Sequence, residues 1–129
     1  MSEPVWIEKE ALLLLHRLGL SRFGGADGIR DEGLLDSALA RPLNLYGYQP
    51  ESDLIALAAA YAFGLVRNHA FVDGNKRAGF LACGLFLELN GLKLTADQAD
   101  AASAVLALAD GSIGQSEFEA WLRTHVTAR

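Results

Sequence analysis

The stretch whose reading decides the fold is His69-Ala70-Phe71-Val72-Asp73-Gly74-Asn75-Lys76-Arg77. It lies between two of the most apolar runs of the chain, Leu54 to Val66 and Ala78 to Leu87, which are 13 and 10 residues long. Polar groups of this density between two core-forming runs are not core filler, because burying them without partners costs several kcal/mol each. The pattern predicts a polar loop held by two central helices. The first of these is expected over Asp53 to Asn68 with Ser52 as its N-cap, apolar on every side and therefore central. The second starts near Gly74 or Asn75 and runs to Leu89, ahead of Asn90-Gly91.

Outward from the loop the pattern stays helical. Glu8 to Leu18 reads as a first helix, with acidic residues in its first turn, His16 and Arg17 in its last, and Gly19 as its stop. Ser21 to Arg30, which contains Gly24, Gly25 and Gly28, reads as a surface loop or short hairpin. Asp31 caps a second helix over Glu32 to Arg41, ended by Pro42, and Leu43 to Pro50 is a connector. Val5-Trp6-Ile7 and Leu92-Lys93-Leu94 read as extended. Thr95-Ala96-Asp97-Gln98 reads as a capping box for a fifth helix, Ala96 to about Ala109, with a turn at Asp110-Gly111. Ser116-Glu117-Phe118-Glu119 reads as a second box, opening a last helix to about Val126. The expected fold is all-α: one domain, residues 1–129, of about six helices with a small flap loop or hairpin.

Composition narrows the function. Hydrophobic content is 51% and charged content 21%, the balance of a folded chain able to build a core without staples. The single cysteine, Cys83, allows no internal disulfide and suits a reducing cytoplasm. The start Met1-Ser2-Glu3-Pro4 lacks the basic n-region of a signal peptide, and neither apolar run reaches the ~20 residues that span a bilayer. A net charge of −5 disfavours nucleic acid and membrane surfaces as partners. Against that background the cations Lys76 and Arg77 stand out.

His69 ends the central helix, and a histidine suits taking a proton from a hydroxyl at neutral pH. On its own it fits a core or capping histidine better, and its neighbours shift the balance. Gly74 and Asn75 open the next helix, where free backbone N–H groups and the positive end of the dipole favour phosphate. Lys76 and Arg77 add two cations over the same spot, against the dipole's preference; simple solvated side chains are the alternative. Asp73 fits a Mg²⁺ ligand or an N-cap, and Asn75 a phosphate donor or a turn-holding amide. Phe71 is expected to point inward and pin the loop. No P-loop pattern, EF-hand series, zinc-ligand pair or catalytic triad is present in the sequence.

The nine-residue stretch resembles the signature of the Fic/Doc superfamily, and within it the Doc (death-on-curing) toxin branch of toxin–antitoxin systems. The Fic pattern has Gly where Lys76 stands and a second Arg where Phe80 stands. Arg22-Phe23-Gly24-Gly25, Gly28-Ile29-Arg30-Asp31 and Phe86-Leu87-Glu88-Leu89-Asn90-Gly91 extend the likeness over about residues 8–126. The resemblance implies a helical bundle that binds ATP with Mg²⁺ and transfers the γ-phosphate to a threonine or serine of a translation factor, elongation factor Tu, stopping translation. It implies His69 as general base, Asp73 as the metal ligand, and Gly74, Asn75, Lys76, Arg77 and Arg67 as phosphate-binding residues, with Lys76 and Arg77 also catalytic. It implies that Phe23, Gly24, Gly25, Gly28, Ile29 and Arg30 form a flap that docks the target by strand addition. It also implies a separate Phd-like antitoxin acting in trans, since no [ST]-x-x-x-E-[GN] inhibitory pattern occurs in the sequence. The competing expectations are AMP transfer on the same scaffold and a catalytically weak antitoxin-binding module. Lys76 favours phosphate transfer, because it crowds the place where Gly would admit the α- and β-phosphates.

Overall fold

The structure is a computed structural model that describes residues 3–129. In chain order its elements are α1 (Lys9–Phe23), α2 (Glu32–Tyr48), α3 (Leu54–Asn68), α4 (Asn75–Leu89), β1 (Leu92–Leu94), α5 (Gln98–Asp110), α6 (Gln115–Arg123) and β2 (Val126–Ala128). This is the expected all-α bundle, with a two-stranded antiparallel sheet added at one end.

α3 occupies the centre because it has no polar face. Residues from Ala56 to Ala62 are buried without a break, as are Gly64, Leu65 and Val66. It packs against α2, α4, α5 and α6. Its small residues set how closely the neighbours approach. A methyl group at Gly79 of α4 would lie 2.6 Å from Val66 Cγ2 and 3.2 Å from the Ala62 carbonyl oxygen. Leu57, Tyr61 and Leu65 of α3, Phe86 of α4 and Phe118 and Leu122 of α6 join one buried cluster. Cys83 lies within it, and burial pushes its thiol pKa up to about 12, so the thiol is inert.

Several helix ends differ from the sequence expectation, each for a physical reason. Gly19 does not stop α1, which runs on to Phe23 and ends at Gly24. Gly19 is there for close packing: a methyl group would lie 2.9 Å from Arg77 Cδ. Pro42 does not end α2 but sits buried inside it. Proline cannot bond the Ala38 carbonyl, and that carbonyl lies against Gly64, whose lack of a side chain makes the room. Residues 43–48 are therefore helix and not connector. Asp53, not Ser52, caps α3, its carboxylate accepting the Ala56 N–H at 2.9 Å. Asp97, not Thr95, caps α5, because the Thr95 N–H donates to the His125 carbonyl and prolongs the sheet.

At the last helix the cap falls on Gly114, whose N–H donates to the Glu117 carboxylate at 2.8 Å. α6 stops at Arg123, and Val126 lies opposite Leu94 in β2, a strand the sequence reading missed. Arg123 ties this end to the start of α3 by donating to Asp53 at 2.7 and 3.1 Å. Those bonds hold the Asp53 carboxyl below the usual carboxylate range. Their contribution is complete above the unfolded pKa near ~3.9 and is lost as pH falls through the lowered folded value. Val5-Trp6-Ile7 joins no strand. It is pinned by mutual Val5–Asn90 bonds and by the Ile7 N–H donating to the Tyr61 hydroxyl.

The α3–α4 approach is tight enough to test. Gly79→Ala is expected to lower unfolding free energy by about 1–3 kcal/mol, since both obstructing groups belong to the packed neighbour helix. Urea unfolding of the variant at unchanged m-value measures it.

Candidate active site

α3 and α4 are joined by a turn that carries the predicted chemistry. His69 caps α3 in a left-handed conformation (φ 54°, ψ 47°), the only positive φ at a non-glycine residue among those described. Such a conformation costs on the order of 1–3 kcal/mol and persists only where its surroundings enforce it. The enforcement comes from Arg30. Its Nε donates to the His69 carbonyl at 2.7 Å and its Nη2 to the Asn68 carbonyl at 3.3 Å. A cation there also suits the negative end of α3.

The rest of the turn is equally tied down. Asn75 is buried, its Oδ1 accepting the Phe71 N–H at 2.9 Å and its Nδ2 donating to the Phe71 carbonyl at 3.0 Å. Of the two roles the sequence left open for this side chain, it performs the turn-holding one; its backbone N–H remains at the start of α4. The Arg30 and Asp31 N–H groups donate to the Ala70 carbonyl, and the Val72 N–H donates to the Gly28 carbonyl. Ile29 and Phe71 thus form an antiparallel bridge that binds the flap to the loop. In this pattern the N–H and C=O of Ile29 face away from Phe71, and neither has a hydrogen-bond partner among the described residues.

His16 of α1 completes the frame. Its ring is stacked on Phe71 at 3.8 Å between centroids, and its Nε2–H donates to the Asp73 carbonyl at 2.8 Å. The Asp73 carboxylate accepts the Gly74 N–H at 2.7 Å and, more weakly, the Ala26 N–H at 3.4 Å. Gly74 opens α4 with φ 78°, which only glycine adopts freely. A side chain there would meet His16 and Leu20 only at ordinary contact distance, so it is the left-handed backbone of the turn that calls for glycine.

The turn borders a cavity of about 640 Å³ that brings Phe23, Arg67, His69, Asp73, Lys76 and Arg77 together. Gly24, Gly25, Gly74 and Asn75 border it as well. Gly28, Ile29 and Arg30 do not: they lie along the loop's other side, and Arg30's guanidinium is committed to the end of α3. Among the described residues, none of Arg67, Lys76 and Arg77 lies within ion-pair distance of a carboxylate. The Arg77 guanidinium sits 4.5 Å over the Phe23 ring, and that of Arg67 5.3 Å from Phe63. The N–H groups of Asn75, Lys76 and Arg77 have no acceptor among the described residues. Unneutralised cations and free amides around one cavity can hold a polyanion. Its volume falls in the range of small-molecule sites.

Among the described residues no three His, Cys, Asp or Glu side chains cluster. A lone carboxylate beside a phosphate site fits Mg²⁺, which is held by one or two carboxylates together with substrate phosphates. Asp73 keeps lone pairs that could hold such an ion.

The sequence reading missed His16. The signal was available: Leu12, His16, Gly19 and Leu20 form one helical stripe, and all four are buried. A histidine inside an apolar stripe requires a partner across the interface.

The Fic/DOC family profile matches residues 6–87. Over 80 residues the chain is 49% identical to the "Toxin Doc" of Mycolicibacterium smegmatis, covering 61% of this chain and 62% of that protein. Over 117 residues it is 32% identical to the "Protein kinase doc" of Escherichia phage P1, covering 91% of this chain and 92% of that protein. The chain belongs to the Fic/DOC family. Within it, the chain is a Doc-like member.

Asn75→Ala is expected to destabilise the fold by about 1–3 kcal/mol, because Phe71's N–H and C=O lose their partners in a buried setting. Denaturant unfolding measures this, and a loss under about 0.5 kcal/mol would show that the clamp is dispensable.

Proposed function

We propose that this protein is the toxin of a toxin–antitoxin pair and a protein kinase that moves the γ-phosphate of ATP to a threonine or serine hydroxyl of a translation factor, elongation factor Tu. One observation carries this: three cations with no carboxylate partner, and α4 amides with no acceptor, among the described residues line the same cavity as an exposed, conformationally strained histidine. The Doc relatives, one named a toxin and one a protein kinase, support it.

In this mechanism His69 accepts the proton of the target hydroxyl as its oxygen bonds the γ-phosphorus. The bond from that phosphorus to the β-phosphate bridging oxygen breaks, and ADP leaves. Phosphoryl transfer demands positioning and charge neutralisation more than covalent help from the protein. Lys76, Arg77, Arg67 and the free amides of Asn75, Lys76 and Arg77 supply the neutralisation, while the Gly74 amide is engaged by the Asp73 carboxylate. Asp73 would hold Mg²⁺, whose charge would offset that of the phosphate oxygens. The flap, Phe23 to Arg30, would present the free backbone edge of Ile29 to an extended target segment.

Three further parts belong to the proposal. Residues 1–129 form one domain, a reading supported by a single buried cluster that runs from Ile7 to Leu122. The protein acts in the cytoplasm, where its target works; among the described residues no helix is long and apolar enough to cross a membrane. A Phd-like antitoxin silences it in trans.

Incubation with elongation factor Tu and Mg-ATP labelled at the α- or γ-phosphate tests the reaction. Label from the γ-position only is expected; label from the α-position would establish AMP transfer instead. His69→Ala is expected to cut transfer by about 10²–10⁴-fold with nucleotide affinity kept. Equal loss of both would remove the general-base role. Lys76→Ala is expected to weaken ATP binding about tenfold or more, in line with about 1.5–3 kcal/mol for a charged hydrogen bond. Calorimetric titration measures it, and unchanged affinity would return Lys76 to a solvated side chain.

A further inference from the structure

His16 lies outside the cavity and belongs to α1, yet its ring meets Phe71, Asp73 and the place of a Gly74 side chain. It lies nearly parallel to the Phe71 ring, with 10° between the planes. Its Nε2 donates to the Asp73 carbonyl at 2.8 Å. Its Nε2 and Cδ2 sit 3.4 and 3.5 Å from the place where a Gly74 side chain would begin. The residue is only 4% exposed, so these contacts are formed away from bulk water.

The Asp73 carbonyl matters because of where it stands in the helix. In an uninterrupted helix it would accept the N–H of the residue four positions on, Arg77. Here the first such bond is one residue later, from the Ala78 N–H to the Gly74 carbonyl. The Arg77 N–H is left without an acceptor among the described residues, at the border of the cavity. His16 holds the carbonyl that this N–H would otherwise seek.

We propose that His16 is a positioning residue: its Nε2–H occupies the Asp73 carbonyl, fixing the start of α4 so that the Arg77 amide stays available to an anion in the cavity. A carbonyl oxygen only accepts, so the Nε2 nitrogen must carry a proton. Without that donor the helical partner of the Asp73 carbonyl is the Arg77 N–H. α4 would then lengthen by one residue at its start and withdraw an amide from the phosphate side. The peptide that His16 holds also carries the Asp73 carboxylate, so one bond orients both the metal ligand and the amide. The inference rests on the anion-binding role proposed above for the turn.

The test uses the full chain, its variants His16→Phe and His16→Gln, and inorganic tripolyphosphate as the probe. Phe keeps the stacking on Phe71 and removes the donor; Gln replaces the donor without the ring. His16→Phe is expected to bind tripolyphosphate about tenfold more weakly and to gain hydrogen-exchange protection at the Arg77 amide. His16→Gln is expected to stay within about twofold of the natural protein, with the Arg77 amide still unprotected. Wild-type affinity in His16→Phe, or equal loss in both variants, overturns the proposal. Nitrogen-15 spectra of the natural protein give a reading that needs no variant: a His16 ring protonated only at Nδ1 also overturns it. These readouts are binding, exchange and tautomer. A natural protein that binds tripolyphosphate but phosphorylates no elongation factor would therefore refute the proposed kinase activity and leave the role of His16 standing.

Discussion

The interaction on which the rest depends is the pair of hydrogen bonds between the Asn75 side chain and the Phe71 backbone. Two apolar helices, packed closely enough that Gly79 touches Val66 and Ala62, must be joined by a turn whose polar backbone is partly buried. Each such group left without a partner costs about 1–3 kcal/mol. The chain solves this by recruiting a different element for almost every group. Arg30 serves the carbonyls of Asn68 and His69, the flap backbone serves Ala70 and Val72, Asn75 serves Phe71, and His16 serves Asp73. α1, the flap and α4 are therefore held in register by the turn itself. The geometry of the site and the cohesion of this part of the fold are one set of bonds.

Charge is distributed with the same economy. The chain is acidic overall, with net charge −5. Two cations away from the cavity are ion-paired: Lys9 with Glu32 and Asp36, and Arg123 with Asp53 and Glu119. Arg30 and Arg129 donate to helix-end carbonyls. The cavity gathers three of the cations that lack a carboxylate partner among the described residues. Arg67, Lys76 and Arg77 lie against aromatic faces or solvent, with no carboxylate in reach among the described residues. An excess of positive charge at one point of a negative surface attracts a small polyanion locally while the whole molecule repels larger ones. The Arg77 side chain illustrates how it is built: its stem lies on Gly19 and its head on Phe23, both from α1.

Much of this was legible in the sequence, and what was not has a common cause. α3, α4 and the loop between them follow from composition alone, because an all-round apolar helix has only one place to go. The cavity residues His69, Asp73, Lys76 and Arg77 are polar where burial would forbid them, and that contradiction is visible in one dimension. Gly19 and Pro42 were misread because local rules treat both as helix breakers. Each is instead explained by a residue far away in sequence, Arg77 for Gly19 and Gly64 for Pro42. The caps at Asp53 and Asp97 slipped because several good capping residues stand together at each helix start and tertiary contacts choose among them. Thr95 was already taken by His125 in the sheet. His16 belongs to the same class, since its role is a hydrogen bond to backbone that only the fold brings near, whereas the turn-holding role of Asn75 was one of the two the sequence left open.

Arg30 shows how far this cross-linking constrains the chemistry. Its side chain holds His69 in a conformation that a non-glycine residue avoids, while its own N–H donates to Ala70. The same residue is thus part of the flap backbone and a donor to the last carbonyls of α3. A displacement of the flap would loosen the Ala70 bond and pull the guanidinium from the His69 carbonyl, releasing a strain of the order of 1–3 kcal/mol. The imidazole position is consequently not a property of α3 alone. It is set by whether the flap lies in place, and the outward edge of that flap is the unpaired backbone of Ile29. A group that engages this edge bears on the strand that fixes the histidine.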